Sequence, residues 1–133
     1  MNAINGKRAF LDPAEARLDR EFLDTGHLVR PVEDMVALER LRAAVVEMTA
    51  RQVGANTIDS PSDFLDSIHR WLDVGALNDL RLAVINGLNE LPWAREAYFS
   101  TARRALEGIV GNELAMQRRI NLSIQLPGDD SSV

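Results

Sequence analysis

Apolar residues at Leu38, Leu41, Val45 and Met48 fall three, four and three positions apart, the spacing of one helix face. This predicts a helix over 34–53, with Glu47 and Arg51 pairing at i,i+4 on the opposite side and Gly54 closing it. Asp12-Pro13-Ala14-Glu15 combines a capping carboxylate, a proline suited to the first helical position and an acid in the first turn. It predicts a helix over 13–24 that stops at Gly26. Ser60-Pro61-Ser62-Asp63 repeats the signal and predicts a helix over 61–72. Gly75 then separates it from a helix starting at Asn78 or Asp79 and covering 79–90. Leu91-Pro92-Trp93 breaks the chain again before a helix over 93–110, interrupted at Gly111 and Asn112. Between the first two helices, His27-Leu28-Val29-Arg30 precedes Pro31 and reads as extended. The first ten residues show no periodicity.

The pattern changes at the end. Arg119-Ile120-Asn121-Leu122-Ser123-Ile124-Gln125-Leu126 alternates polar and apolar without a fault, the period of a half-buried strand over 119–126. Pro127-Gly128-Asp129-Asp130 is a turn signal. The expected fold is therefore mainly α: five helices over 1–118, then the first strand of a sheet over 119–133. A single amphipathic strand has an open edge, so it must self-associate or belong to a sheet that continues elsewhere. The second alternative makes the chain an N-terminal piece of something larger. For the core, the stripe Leu38, Leu41, Val45 and Met48 is expected to be buried with Phe99, Leu106 and Ile109. Trp71, Trp93, Tyr98 and Phe99 sit where interhelical packing needs bulk.

Composition narrows the functions. With 133 residues and 46% apolar side chains, one domain-sized core is affordable. There is no cysteine, which excludes disulfides, thiol nucleophiles and cysteine-held metals. No apolar run is long enough for a membrane span, and the N-terminus lacks the apolar stretch of a signal peptide. A cytoplasmic protein is expected. The net charge of −5 opposes a dedicated nucleic-acid surface, although every cation except Lys7 is arginine.

Candidate chemistry is thin. The two histidines, His27 and His69, stand outside any His-x-Asp/Glu pattern. On a continuous helix Asp66, His69 and Asp73 would share a face that can hold a metal in principle, but a second helix with matching ligands is normally needed. The expected role is a solvated face, so no metal ligand is assigned. Gly-x-Ser-x-Gly, the phosphate-binding loop and the dinucleotide fingerprint are absent. Arg103-Arg104 and Arg118-Arg119 are read as exposed charge rather than phosphate ligands. Asn121-Leu122-Ser123 matches a glycosylation pattern that carries no weight without an export signal. No catalytic residue can be named from these positions.

The passage Gly111-Asn112-Glu113-Leu114-Ala115-Met116-Gln117, followed by Asn121-Leu122-Ser123-Ile124-Gln125-Leu126-Pro127-Gly128-Asp129-Asp130-Ser131-Ser132, resembles one family. It is similar to the 2-oxoglutarate/Fe(II) oxygenase-like proteins of bacterial carbohydrate-biosynthesis clusters, related to a streptomycin-cluster protein and distantly to phytanoyl-CoA hydroxylase-type oxygenases. Asn78-Asp79-Leu80-Arg81 and the stretch 93–98 look similar too, so the resemblance spans 28–133 and is most specific in its last 25 residues. It implies a helical region leading into a double-stranded β-helix, with Fe(II) and 2-oxoglutarate as cofactors of a full-length parent. The implied reaction is oxidation of a sugar or sugar-derived intermediate of polysaccharide synthesis. The family's His-x-Asp and later His lie beyond the matching passage, so none of the metal triad falls on this chain, which is expected to be inactive alone. What carries over is the strand: Asn121, Ser123 and Gln125 would face the lumen that holds cofactor or substrate, with Ile120, Leu122, Ile124 and Leu126 beneath the helices.

The competing expectation is a helical interaction or dimerisation module without catalysis, its terminal strand paired with a symmetry mate. A helix-turn-helix over 60–90 is a weaker third reading, opposed by Asp63, Asp66, Asp73, Asp79 and Glu90.

Overall fold

The computed structural model describes residues 12–111 and 114–126. The expectations for the first ten residues, for Asn112 and for the turn at Pro127-Gly128 lie outside them. Among the described residues there are six α-helices and one short 3-10 helix: α1 (Pro13–Thr25), α2 (Met35–Val53), α3 (Pro61–Asp66), the 3-10 helix Ile68–Arg70, α4 (Val74–Glu90), α5 (Ala94–Ser100) and α6 (Arg103–Val110). The chain divides into two compact units. One holds residues 1–33 and 102–116, the other 34–101 and 117–133.

In the first unit, α1 packs on α6. Asp12 accepts from the amides of Ala14 and Glu15 while Glu15 accepts from the amide of Asp12, a complete capping box, as the Asp-Pro-x-Glu pattern predicts. Gly26 ends α1 at φ 74°, a left-handed conformation that suits glycine. Gly108 is buried, and a Cβ there would lie 3.1 Å from Leu18 Cδ2, so its missing side chain lets α6 come close to α1. The start of α6 is capped from far along the chain. The Glu33 carboxylate accepts from the Arg104 and Ala105 amides at 2.9 and 3.0 Å.

The second unit is built around α4. Leu77, Leu80, Val84 and Leu88 recur at helical spacing and are 0–3% exposed. They pack with Val46 and Ala50 of α2, Phe64 of α3, Ile68 and Leu126. Gly87 sits where a Cβ would come within 2.8 Å of Met48 Sδ, so α4 and α2 approach closely there. α2 also packs against α5, which buries Ala94 and Ala97.

Several expectations are corrected. The buried face of α2 is Ala37, Val46, Thr49 and Ala50, whereas Leu38, Leu41, Val45 and Met48 are only half-buried. Leu106 and Ile109 belong to the other unit. Trp71 and Tyr98 are exposed, at 46% and 55%, although Trp71 keeps an edge-to-face contact with Phe64. The helix expected over 61–72 ends at Asp66, where the Ser67 hydroxyl shares the Asp63 carbonyl with the Ser67 amide and the chain tightens into 3-10 geometry. The helix expected over 93–110 is two helices. The Ser100 and Thr101 hydroxyls bond the Ala97 and Tyr98 carbonyls, and Ala102 leaves helical backbone at φ −146°. Finally, α4 begins five residues before Asp79: Asp73 accepts from the Ala76 amide at 3.0 Å and caps it, placing Gly75 inside the first turn.

The described residues contain no β-strand, which corrects the expectation for 119–126. The segment is extended without a ladder, and its alternation survives as burial. Ile120 and Leu126 are buried and Leu122 and Ile124 half-buried, while Asn121, Ser123 and Gln125 are exposed.

Candidate functional site

The segment 120–126 lies along α4, and side chains of that helix bond its backbone at Ile120 and Ile124. Asn89 Nδ2 donates to the Ile120 carbonyl at 2.8 Å and to its own helix at the Ile85 carbonyl at 2.7 Å, while Asn89 Oδ1 accepts from the Ile120 amide at 2.9 Å. Two turns earlier, Arg81 Nε donates to the Ile124 carbonyl at 2.7 Å. Asn86 Oδ1 accepts from Arg119 Nη2 at 2.8 Å and fixes the entry to the segment. The pairing runs antiparallel, 81 with 124 and 89 with 120. The lengths match: eight helical residues rise about 12 Å, and four extended residues span about 13 Å. One i,i+4 row of a helix can therefore grip a period-two segment at both ends.

This arrangement sorts the expected site residues into two groups. Asn121, Ser123 and Gln125 stand together on one exposed face, the polar side of a segment whose apolar side packs on the helical core. Asp66, His69 and Asp73 do not share a helix face. Asp66 is the last residue of α3, His69 lies in the 3-10 helix and the Asp73 carboxylate is committed to capping α4. No group of three His, Cys, Asp or Glu side chains able to hold a metal occurs among the described residues. His27 lies in the first unit, where its Nδ1 is 3.1 Å from the Thr25 carbonyl oxygen.

One arginine of each pair has a structural partner. Arg104 reaches Glu33 at 3.6 Å and Arg119 reaches Asn86. Arg40 places its guanidinium 3.8 Å from the centre of the Trp93 ring, a cation–π contact. Burial pushes the Glu33 carboxyl up, but the two backbone amides and the Arg104 guanidinium outweigh it and hold it below the usual carboxylate range. Glu21 is likewise lowered by its hydrogen bond to Arg30 on the surface.

Sequence reasoning missed Asn89 and Arg81. Asn89 carried a usable signal, an asparagine next to the apolar stripe Leu77, Leu80, Val84 and Leu88, because such a group needs a partner when it leaves water. Among the described residues no helix is long and apolar enough to cross a membrane. Comparison of the chain with protein-family models, with curated proteins and with solved structures finds no match in any of the three.

Proposed function

We propose that this chain is the helical part of a 2-oxoglutarate/Fe(II) oxygenase-like protein that oxidises a sugar or sugar-derived intermediate. Its own task is to seat the first extended segment of the catalytic sheet. The described residues do not fit the metal: they bring together no pair of histidines with a carboxylate, so on this reading the ligands come from other residues of the parent. One observation carries the proposal. The described part of the passage resembling that family, 120–126, runs extended on α4 with its apolar side inward and Asn121, Ser123 and Gln125 outward, available to line a lumen. The coding sequence past Val133 tests it, together with succinate formation from 2-oxoglutarate by the complete gene product under Fe(II) and O₂. An in-frame His-x-Asp within a few tens of codons, a later His and metal-dependent succinate are expected. A stop codon directly after Val133 overturns the proposal.

The exposure of Trp71 and Tyr98 favours a second reading, a helical interaction module without catalysis. Large aromatics left in water mark contact surfaces more often than other residues do. Sedimentation across a hundredfold concentration range separates the two, since concentration-dependent mass abolished by Tyr98→Ser or Trp71→Ser belongs to the module.

A further inference from the structure

The segment 120–126 is held on α4 by side chains and by burial. Asn89 bonds the Ile120 amide and carbonyl, and Arg81 bonds the Ile124 carbonyl. Leu126 joins the helical core cluster, with Leu122 and Ile124 packed against it. The seat therefore takes an extended, uncharged segment with aliphatic residues at alternate positions. Left empty, it would return aliphatic surface to water on both the segment and the helices. The chain reaches this seat indirectly. Residues through Met116 belong to the first unit, and the segment belongs to the second. Between the end of α6 at Gly111 and Ile120, the described residues 114–119 form no helix or strand. Such a linker is the hinge that exchange of an identical element between two copies requires. A second copy's segment makes the same contacts, so contact energy does not choose between the two occupants. The linker chooses: a short flexible tether gives an effective concentration on the order of millimolar, at which a second copy competes.

We propose that the seat on α4 is an interface between two copies of this chain, each seating the other's segment 120–126 by reciprocal exchange. The present occupant defines the partner, and a second copy carries that occupant by identity. The exchange differs from the joining of two open strand edges, because each segment leaves its own helix for the equivalent helix of the other copy. It rests on neither reading of the function: it needs no metal, and it uses neither Trp71 nor Tyr98.

Two measurements test it. The chain has no cysteine, so the full-length variant Arg119→Cys carries a nitroxide label at one position only. These copies are mixed with isotope-labelled unaltered chain, unfolded together in urea and refolded at about millimolar concentration. Broadening of the isotope-labelled amides of Asn86 to Asn89 on α4 is expected. No broadening there, or broadening spread evenly over the surface, overturns the proposal. The second measurement shortens the linker. Deleting residues 114–117 removes about 14 Å of reach and disfavours the closed chain. Sedimentation should then show twice the chain mass at concentrations where the unaltered chain is a single copy, with the Ile120 amide still protected from hydrogen exchange. Adding Asn89→Ala weakens both seats of the pair and should raise its dissociation constant at least about tenfold. Adding Tyr98→Ser and Trp71→Ser should leave that constant unchanged. A shortened chain that folds as a single copy, or a pair dissolved by Tyr98→Ser, overturns the proposal. The nitroxide experiment decides the matter if the shortened chain does not fold.

Discussion

The Asn89 carboxamide meets the backbone of Ile120 on both of its polar atoms, accepting from the amide at 2.9 Å and donating to the carbonyl at 2.8 Å. A neighbouring strand exchanges the same two bonds with a residue in a hydrogen-bonded antiparallel pair. One helical side chain thus stands in for a strand, and 120–126 stays extended without a sheet among the described residues. Arg81 repeats half of the arrangement at Ile124.

Replacing Asn89 separates the donor from the acceptor. Asn89→Ala should lower stability by about 1–3 kcal/mol, because the part-buried Ile120 amide and carbonyl lose their partner. Asn89→Asp should cost more than Asn89→Ala. It keeps the acceptor for the Ile120 amide but turns a carboxylate oxygen toward the carbonyls of Ile120 and Ile85, where a donor stood. Urea unfolding and hydrogen exchange at Ile120 measure both. An Asp variant as stable as the native chain would mean that the carboxamide is not the clamp.

The core prediction follows the burial on α4. Leu80 is 1% exposed and packs in the middle of the cluster, so Leu80→Ala should cost about 2–5 kcal/mol. Leu41 is half-buried, and Leu41→Ala should cost less than half as much. Equal losses in urea unfolding would restore α2 as the central element.

Some helix boundaries were legible from local signals, but the start of α4 was not, although Asp73 caps it from three residues away. Asp12, Ser60 and Gly54 sit at the ends they were expected to mark, because capping involves residues three or four apart. The ends of α3 and α5 were not legible. There serine and threonine hydroxyls compete for helix carbonyls, and the sequence does not show whether such a hydroxyl turns inward or to water. The face of α2 was misassigned for a different reason. Periodicity marks the large aliphatic residues, whereas close packing against α4 and α5 buries the small ones, Ala37 and Ala50 with Thr49. In 119–126 the alternation correctly gave an inward and an outward face. What it lacked was the partner: period two specifies a segment covered on one side, and a helix carrying Arg81 and Asn89 covers it as well as a sheet does.

Gly87 tests the close approach of α4 to α2. A Cβ there meets Met48 Sδ at 2.8 Å, but the thioether is flexible and half-buried and can swing away. Gly87→Ala should therefore change stability by less than about 1 kcal/mol, the helix-propensity gain offsetting the shift of Met48. Gly87→Val brings two further carbons into the same space and should cost about 1–3 kcal/mol. Adding Met48→Ala to Gly87→Val should recover part of that loss in a double-mutant cycle. Strict additivity would mean that the two residues are not in contact.

The cap on α6 predicts an acid-sensitive first unit. Glu33 is 18% exposed and accepts from the amides of Arg104 and Ala105, so its carboxyl titrates below the usual carboxylate range in the folded chain. A lowered folded value means that the unfolded chain binds the proton more readily. The stabilisation is thus fully present above the ordinary carboxylate pKa and is lost as pH falls through the lowered one. Glu33→Gln keeps an acceptor but removes the charge, and should cost about 0.5–2 kcal/mol at neutral pH, in the range of a lost helix cap. The same variant should flatten the fall in stability below the ordinary carboxylate range, while Glu21→Gln, on an exposed ion pair, should change it little. Hydrogen exchange at the Arg104 and Ala105 amides, followed from neutral pH into acid, is the direct measurement. Protection that persists unchanged in Glu33→Gln at neutral pH would show that the start of α6 is held by something other than this carboxylate.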